Sequence, residues 1–230
     1  MYFRHAAEIW KDYPSLVASV LLADGTATNC SSASRIARFN AVAESRLAAC
    51  PEGELPEIKA WRRVFSQMGL KPTQYRCASE SLLRRYRKEK CLPQIHPVID
   101  LCNSVSMAFA IPIAVFDVSK VDGHLEVRYA AGPETYLTFS GEIENPEPGE
   151  VIFADATARA HARRWSNRQS AFSAVGNDSA SVLIVAEAFH SSAQPDIEKL
   201  AATLAEELEG IGCFVPKTAI LNSTSPRFEF

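Results

Sequence analysis

The chain has 230 residues, 47% of them hydrophobic and 22% charged, with a formal net charge of −3. That is enough to bury one substantial core, so a single domain is expected, and the slight negative charge excludes a protein that coats nucleic acid non-specifically. Its six cysteines, Cys30, Cys50, Cys77, Cys91, Cys102 and Cys213, form no CxxC pair, which points to reduced thiols in a cytoplasm and away from a zinc cluster or a redox motif. MYFRHAAEIWKDYP carries no signal-type apolar run and no stretch approaches the ~20 apolar residues that span a bilayer, so the expectation is a cytoplasmic protein without membrane contact.

Leu16 to Ala23 is the first strand candidate, ended by Asp24 and Gly25. Helices are expected over Ser31 to Ala49, Leu55 to Met68 and Ser79 to Lys90. The second places Trp61, Val64, Phe65 and Met68 at helical spacing before Gly69; in the third, Ser79 can cap and Glu80 stands four residues before Arg84. Between Leu92 and Pro112, a helix opened by Pro97 puts Val98, Leu101, Val105, Ala108 and Phe109 on one stripe, flanked by Asn103 and Ser104.

From Ile113 the period changes to two. IAVFDV, HLEVRYA, TYLTFSG, EVIFADA, ARAHARRW, SAFSAV and SVLIVAEAF succeed one another as strands, with turns at Asp122-Gly123 and Gly176-Asn177-Asp178. An amphipathic helix over Asp196 to Glu209 uses Ile197, Leu200, Leu204 and Leu208, and CFVPKTAIL forms a last strand. The fold class is therefore α+β, a helical layer packed on a mainly antiparallel sheet. One domain over 1–222 is expected, with strand and helices at 16–110, a sheet-rich core at 111–190, a helix and strand at 194–221, and a flexible tail at 223–230.

No Walker loop, GxGxxG, HExxH or GxSxG occurs, and histidines 5, 96, 124, 161 and 190 stand apart without metal-ligand spacing, so no metal or cofactor is expected. Two features remain. RRYRKEK, Arg84 to Lys90, carries five positive residues and one negative, and Arg62-Arg63 adds a pair; such runs are solvated helix faces more often than binding sites. RRWSNRQS, Arg163 to Ser170, gathers three arginines, two amides and two hydroxyls around one tryptophan, either as turn-capping surface chemistry or as the wall of a binding site. Alternation on the preceding strand sends Arg159, His161, Arg163 and Trp165 one way, and Ala158, Ala160, Ala162 and Arg164 the other, with the alanines in the core and Arg164 at a cavity's edge.

The order of CLPQIHPVIDLCNSVSMAFAIPIAVFD, HLEVRYA, a glycine-centred turn, GEVIFAD, RRWSNRQS and SVLIVAEAF resembles the B3/B4 domain of the phenylalanyl-tRNA synthetase β subunit. With AWRRVFSQMGLKPTQYRCASESLLRR ahead of it, the chain is closer still to free-standing members of that family, over about residues 55 to 190. The resemblance implies a pocket between the helical layer and the sheet, which in the synthetase hydrolyses mischarged tRNA by holding an aminoacyl ester and orienting a water. Asp100 and Asn103 keep the pattern of the family's pocket helix. The synthetase histidine falls on Ala114, inside a matching frame of Pro112 and Phe116-Asp117, and its glutamate aligns with Val185, two residues before Glu187.

The resemblance implies an aminoacyl-tRNA deacylase working in trans without metal. Asn103 and Ser104 are its candidate catalytic groups. Arg164, Trp165, Asn167, Arg168, Gln169, Ser170 and Glu187 are its candidate substrate-binding groups, and Arg62, Arg63, Arg84, Arg85, Arg87 and Lys88 its tRNA contacts. The alternatives are a module that binds an amino acid or related metabolite without hydrolysis, and an interaction protein whose pocket is filled by its own side chains, with Trp165 buried against the sheet. The residues leave the oligomeric state open.

Overall fold

The computed structural model describes residues 1–25 and 32–230, so Ser31, at the start of an expected helix, and Cys30 lie outside the described residues. In chain order the elements are β1 (Tyr2–His5), α1 (Ala7–Asp12), β2 (Val17–Asp24), α2 (Ala33–Ala49), α3 (Pro56–Gln67), α4 (Ala78–Glu89), α5 (Pro97–Phe109), β3 (Ile113–Asp117), β4 (Leu125–Tyr129), β5 (Tyr136–Leu137) and β6 (Ile143–Glu144). Then come β7 (Val151–Asp155), β8 (Ala160–Arg163), β9 (Arg168–Gln169), β10 (Ser181–Ala188), α6 (Ala193–Glu209), β11 (Phe214–Leu221) and β12 (Arg227–Glu229).

The strands make a six-stranded sheet in the order β12-β1-β4-β7-β8-β9, a four-stranded sheet in the order β11-β2-β10-β3, and the small pair β5-β6. Pairing among these named strands is antiparallel except between β1 and β4. The fold is α+β and mainly antiparallel. None of the described helices is long and apolar enough to cross a membrane.

β10 shows how the core is divided, because side chains two apart on a strand share a face. Val182, Ile184, Ala186 and Ala188 join Leu101 and Val105 of α5 and Ile197, Leu200 and Leu204 of α6 in one cluster. Leu183 and Val185 join the other, with Phe3, Phe116, Phe153, Trp61 and Trp165. Helices α5 and α6 thus cover one face of the four-stranded sheet, and Glu187 belongs by parity to the opposite face, toward the six-stranded sheet.

Several expectations meet competing tertiary constraints. ARAHARRW ends as a strand at Arg163, and SAFSAV contains only a short 3-10 turn at Ala171–Ser173. Ser79 does not cap: Cys77 precedes α4, and the buried Ser79 hydroxyl donates to the Ala110 carbonyl at 3.1 Å. Glu80 is buried and pairs with Arg62 at 2.6 Å and with Arg76, so the expected partner Arg84 turns to Glu52. The MYFRH segment, too short and mixed to show periodicity, becomes β1 because both neighbours supply hydrogen bonds.

One of those neighbours is the C-terminus. Residues 223–230, expected as a flexible tail, include β12, whose Phe228 lies opposite Phe3 and is 6% exposed. Replacing Phe228 by Ala should lower unfolding stability by about 3 kcal/mol in urea denaturation; an unchanged midpoint would mean that the tail frays after all.

Acid should loosen the sheet connection at Glu134. Burial alone would raise this carboxyl, but the Ala131 and Gly132 N–H groups and Arg128 at 2.5 Å outweigh it and bring it down to about 2. A carboxyl depressed on folding stabilises the native state above its ordinary value of 4.5 and stops doing so as pH falls toward 2. Between pH 4.5 and 2 the urea midpoint should therefore drop more steeply for the wild type than for Glu134→Gln, and parallel curves would refute the assignment.

Candidate functional site

β8 and β9 form a hairpin whose tip is Arg164 to Asn167. Arg164 and Trp165 have φ of 48° and 57°, in the left-handed region that side chains other than glycine enter at a cost of about 1–3 kcal/mol. The strand's alternation stops there, so Trp165 does not continue the row of His161 and Arg163. It turns inward, fully buried. Its backbone N–H donates to Val151 O at 2.7 Å, and its ring meets Tyr13, Trp61 and Phe189 edge-on at 4.9, 5.5 and 5.3 Å.

The many donors of RRWSNRQS are mostly used within the protein. Arg163, 4% exposed, forks onto Glu150 at 2.9 Å and reaches Glu144 at 2.5 Å. These contacts hold its guanidinium above the ordinary arginine value; burial would raise the Glu150 carboxyl, but Arg163 and the Arg164 N–H draw it below the usual carboxylate range. Arg164 lays its guanidinium 4.8 Å from the Tyr75 ring centre. Arg168 pairs with Glu144 at 3.0 Å, Asn167 donates to Arg76 O at 2.7 Å, Gln169 donates to Val115 O, and the Ser170 hydroxyl donates to Leu137 O at 2.9 Å. Ser166 is different: its hydroxyl is buried, with no hydrogen-bond partner among the described residues.

Behind the hairpin tip lies a cavity of about 60 Å³, between β3, β8 and β10. Ala114 and Val185, which face each other across the β3–β10 ladder, line it together with Phe153, Trp165, Ser166 and Glu187. Asn167, Arg168 and Gln169 also border it. Glu187 is 3% exposed. Its Oε1 lies 2.9 Å from Trp165 Nε1 and 2.6 Å from His5 Nε2, and its carbonyl accepts from Trp61 Nε1 at 3.2 Å. His5 itself is 2% exposed, and its Nδ1 has no hydrogen-bond partner among the described residues.

Other expected site residues are elsewhere. Asn103 and Ser104 line a separate cleft of about 210 Å³ with Asn40 and Gln94, and the Ser104 hydroxyl donates to Asp100 O at 2.9 Å. They do not share a cavity with RRWSNRQS, because α5 packs on the other face of the four-stranded sheet from the cavity behind the hairpin, which lies between the two sheets. Among the basic residues, Arg62 is committed to Glu80, Arg84 and Arg87 pair with the buried Glu52 at 3.2 and 3.0 Å, and Arg85 pairs with Glu89 at 2.9 Å. Arg63 and Lys88 are exposed on α3 and α4.

His5 and Ser166 carry no local signal in the sequence. His5 sits in an N-terminal segment without pattern, and Ser166 is outnumbered by its longer neighbours, so neither is singled out before the chain folds. Folding also gathers His190, Glu57 and Asp196, whose ligand-type atoms lie within 4.8 Å of one another. Those carboxylates are already engaged, Glu57 by Arg46 at 2.7 and 2.8 Å and Asp196 by His190 at 2.8 Å and Ser192 at 2.7 Å.

The sequence relates the chain to known proteins. It is similar to the phenylalanine–tRNA ligase β subunit of Bradyrhizobium diazoefficiens, 38% identical over 64 residues that make up 28% of this chain and 8% of that subunit. The β subunit of Legionella pneumophila strain Lens is 38% identical over 61 residues, 26% of this chain and 8% of that subunit. The match thus spans less than a tenth of these curated relatives. An N-terminal fragment of the phenylalanyl-tRNA synthetase β subunit from Pyrococcus horikoshii superposes with a TM-score of 0.49 at 10% identity, covering 93% of this chain and 49% of that one. The model of the B3/4 domain matches residues 60–203, more than half of the chain, and the chain belongs to that family.

Proposed function

We propose that this protein hydrolyses mischarged aminoacyl-tRNA in trans, with the cavity behind Trp165 as the acyl site. The observation that carries the reading is a buried carboxylate, Glu187, on the wall of a cavity next to the positions that match the synthetase's histidine and glutamate, Ala114 and Val185. Both side-chain contacts to Glu187 converge on Oε1, from His5 and Trp165. Oε2 is thereby left for a water.

In this mechanism His5 and Trp165 fix the carboxylate's orientation. Glu187 accepts a proton from the water as its oxygen attacks the ester carbonyl, and that proton passes to the ribose oxygen as the acyl–oxygen bond breaks. The products are a free amino acid and tRNA with its hydroxyl restored. Arg63, Arg85 and Lys88, exposed on α3 and α4, meet acceptor-stem phosphates; Arg62, Arg84 and Arg87 contribute mainly by ordering that surface through Glu80 and Glu52. No metal is required for this route.

A second reading, a binding module for a free amino acid, is favoured by the apolar side chains of Ala114 and Val185 on the cavity wall. The two are separated by assaying a panel of mischarged tRNAs with the wild type and Glu187→Gln. Loss of a general base should slow hydrolysis at least about a hundredfold in the variant with KM little changed. Equal rates would remove Glu187 from the mechanism, and no hydrolysis of any species, with amino acids raising the melting temperature, would establish the binding module.

A further inference from the structure

The lip of the cavity carries an arginine that the fold holds in place without giving it an acid. We infer that Arg164 binds a phosphate of the RNA end, the phosphodiester on the 5′ side of the terminal ribose, with Tyr75 fixing the plane of its guanidinium. This rests on the reading of the cavity as the acyl site.

The neighbouring arginines are already paired. Arg62, Arg76, Arg163 and Arg168 each reach a carboxylate, at 2.6, 3.3, 2.5 and 3.0 Å. Arg164 differs. Its backbone N–H serves Glu150, but among the described residues its guanidinium has no carboxylate partner and meets only the Tyr75 ring, 4.8 Å from the centre. The side chain is half-buried, and none of its nitrogens is both buried and unpartnered, so the fork remains open to a ligand. An aromatic face orients a guanidinium without neutralising it, and the N–H groups in its plane stay free to grip an anion in bidentate fashion.

Its place in the fold says which anion. Tyr75 lies in the loop between α3 and α4, and that loop closes against the hairpin tip, where Asn167 donates to Arg76 O at 2.7 Å. Both sides of this seam border the cavity, Ser166 and Asn167 from the tip and Ala78 from the start of α4. The Arg164–Tyr75 stack therefore stands beside the seam, a few residues from lining positions on each segment. An acyl group in the cavity is esterified to the terminal ribose, which must then lie at the lip, and the nearest negative charge is the phosphodiester on that ribose's 5′ side. The same loop joins the two helices whose Arg63, Arg85 and Lys88 are assigned to the acceptor stem, so stem and terminal-phosphate contacts are carried by adjoining stretches of chain.

The test measures binding of the protein, by fluorescence anisotropy, to an RNA hairpin that reproduces an acceptor stem with a single-stranded CCA end. A second RNA carries an uncharged methylphosphonate at its last internucleotide linkage, and hydrolysis of mischarged tRNAs is assayed in parallel. The wild type should bind the modified RNA on the order of tenfold more weakly, with a salt dependence of log K shallower by about one. Arg164→Gln should bind both RNAs alike, at the weaker affinity, and Arg164→Lys, which keeps the charge without the fork, should fall between. Because the modified RNA is tested on the wild type, the result stands even if a variant does not fold. Equal wild-type affinity for the two RNAs, an undiminished methylphosphonate penalty in Arg164→Gln, or no RNA binding at all would overturn the inference. A penalty that depends on Arg164, without hydrolysis of any charged tRNA, would support it while defeating the deacylase reading; hydrolysis by a wild type that binds both RNAs equally would do the reverse.

Discussion

A carboxylate between two packed sheets is destabilising by several kcal/mol unless donors surround it. Glu187 has them: the indole of Trp165 and the imidazole of His5 on its side chain, with the indole of Trp61 on its carbonyl. Those donors come from the hairpin tip, the first strand and α3, so one buried charge ties three distant segments to β10. The same network explains why Trp165 can remain in a left-handed conformation: its hydrogen bonds and three ring contacts outweigh the local strain. The site's geometry depends on that balance.

Around this centre, charge is used as scaffolding. Arg163 sits buried between Glu144 and Glu150, Arg168 shares Glu144, and the Arg164 N–H completes Glu150. Such a network is favourable only when every member is satisfied, because removing one partner leaves a buried charge exposed to a low-dielectric interior. Its effect is to anchor the hairpin. A stretch rich in donors thus offers the cavity very few.

The basic helices obey the same logic. Glu52 and Glu80 are both buried; Glu52 draws Arg84 and Arg87 of α4 to its side, and Glu80 draws Arg62 of α3 and Arg76. Arginine stems cover apolar surface while their heads neutralise these acids. A positive surface remains, carried by fewer free charges than the sequence count suggests.

The chain's own residues determined the α+β class, the helix positions from Pro56 to Phe109 and most of the long strands, because those elements are written in local periodicity. The resemblance carried by six ordered segments singled out Ala114 and Val185, which strand pairing then sets opposite one another. Tertiary structure alone decided which polar groups share a cavity. Asn103 and Ser104 stand on a helix that packs against the far face of the sheet, and spacing along the chain carries no information about which face of a sheet a helix will cover. His5 and Phe228 come from the two ends of the chain, where no period is long enough to read, and they acquire their places from strand pairing and contacts across more than 180 residues. The inward turn of Trp165 was equally hidden: alternation predicts the opposite side, and only the hydrogen bond to Glu187 and the surrounding rings make the strained conformation the stable one.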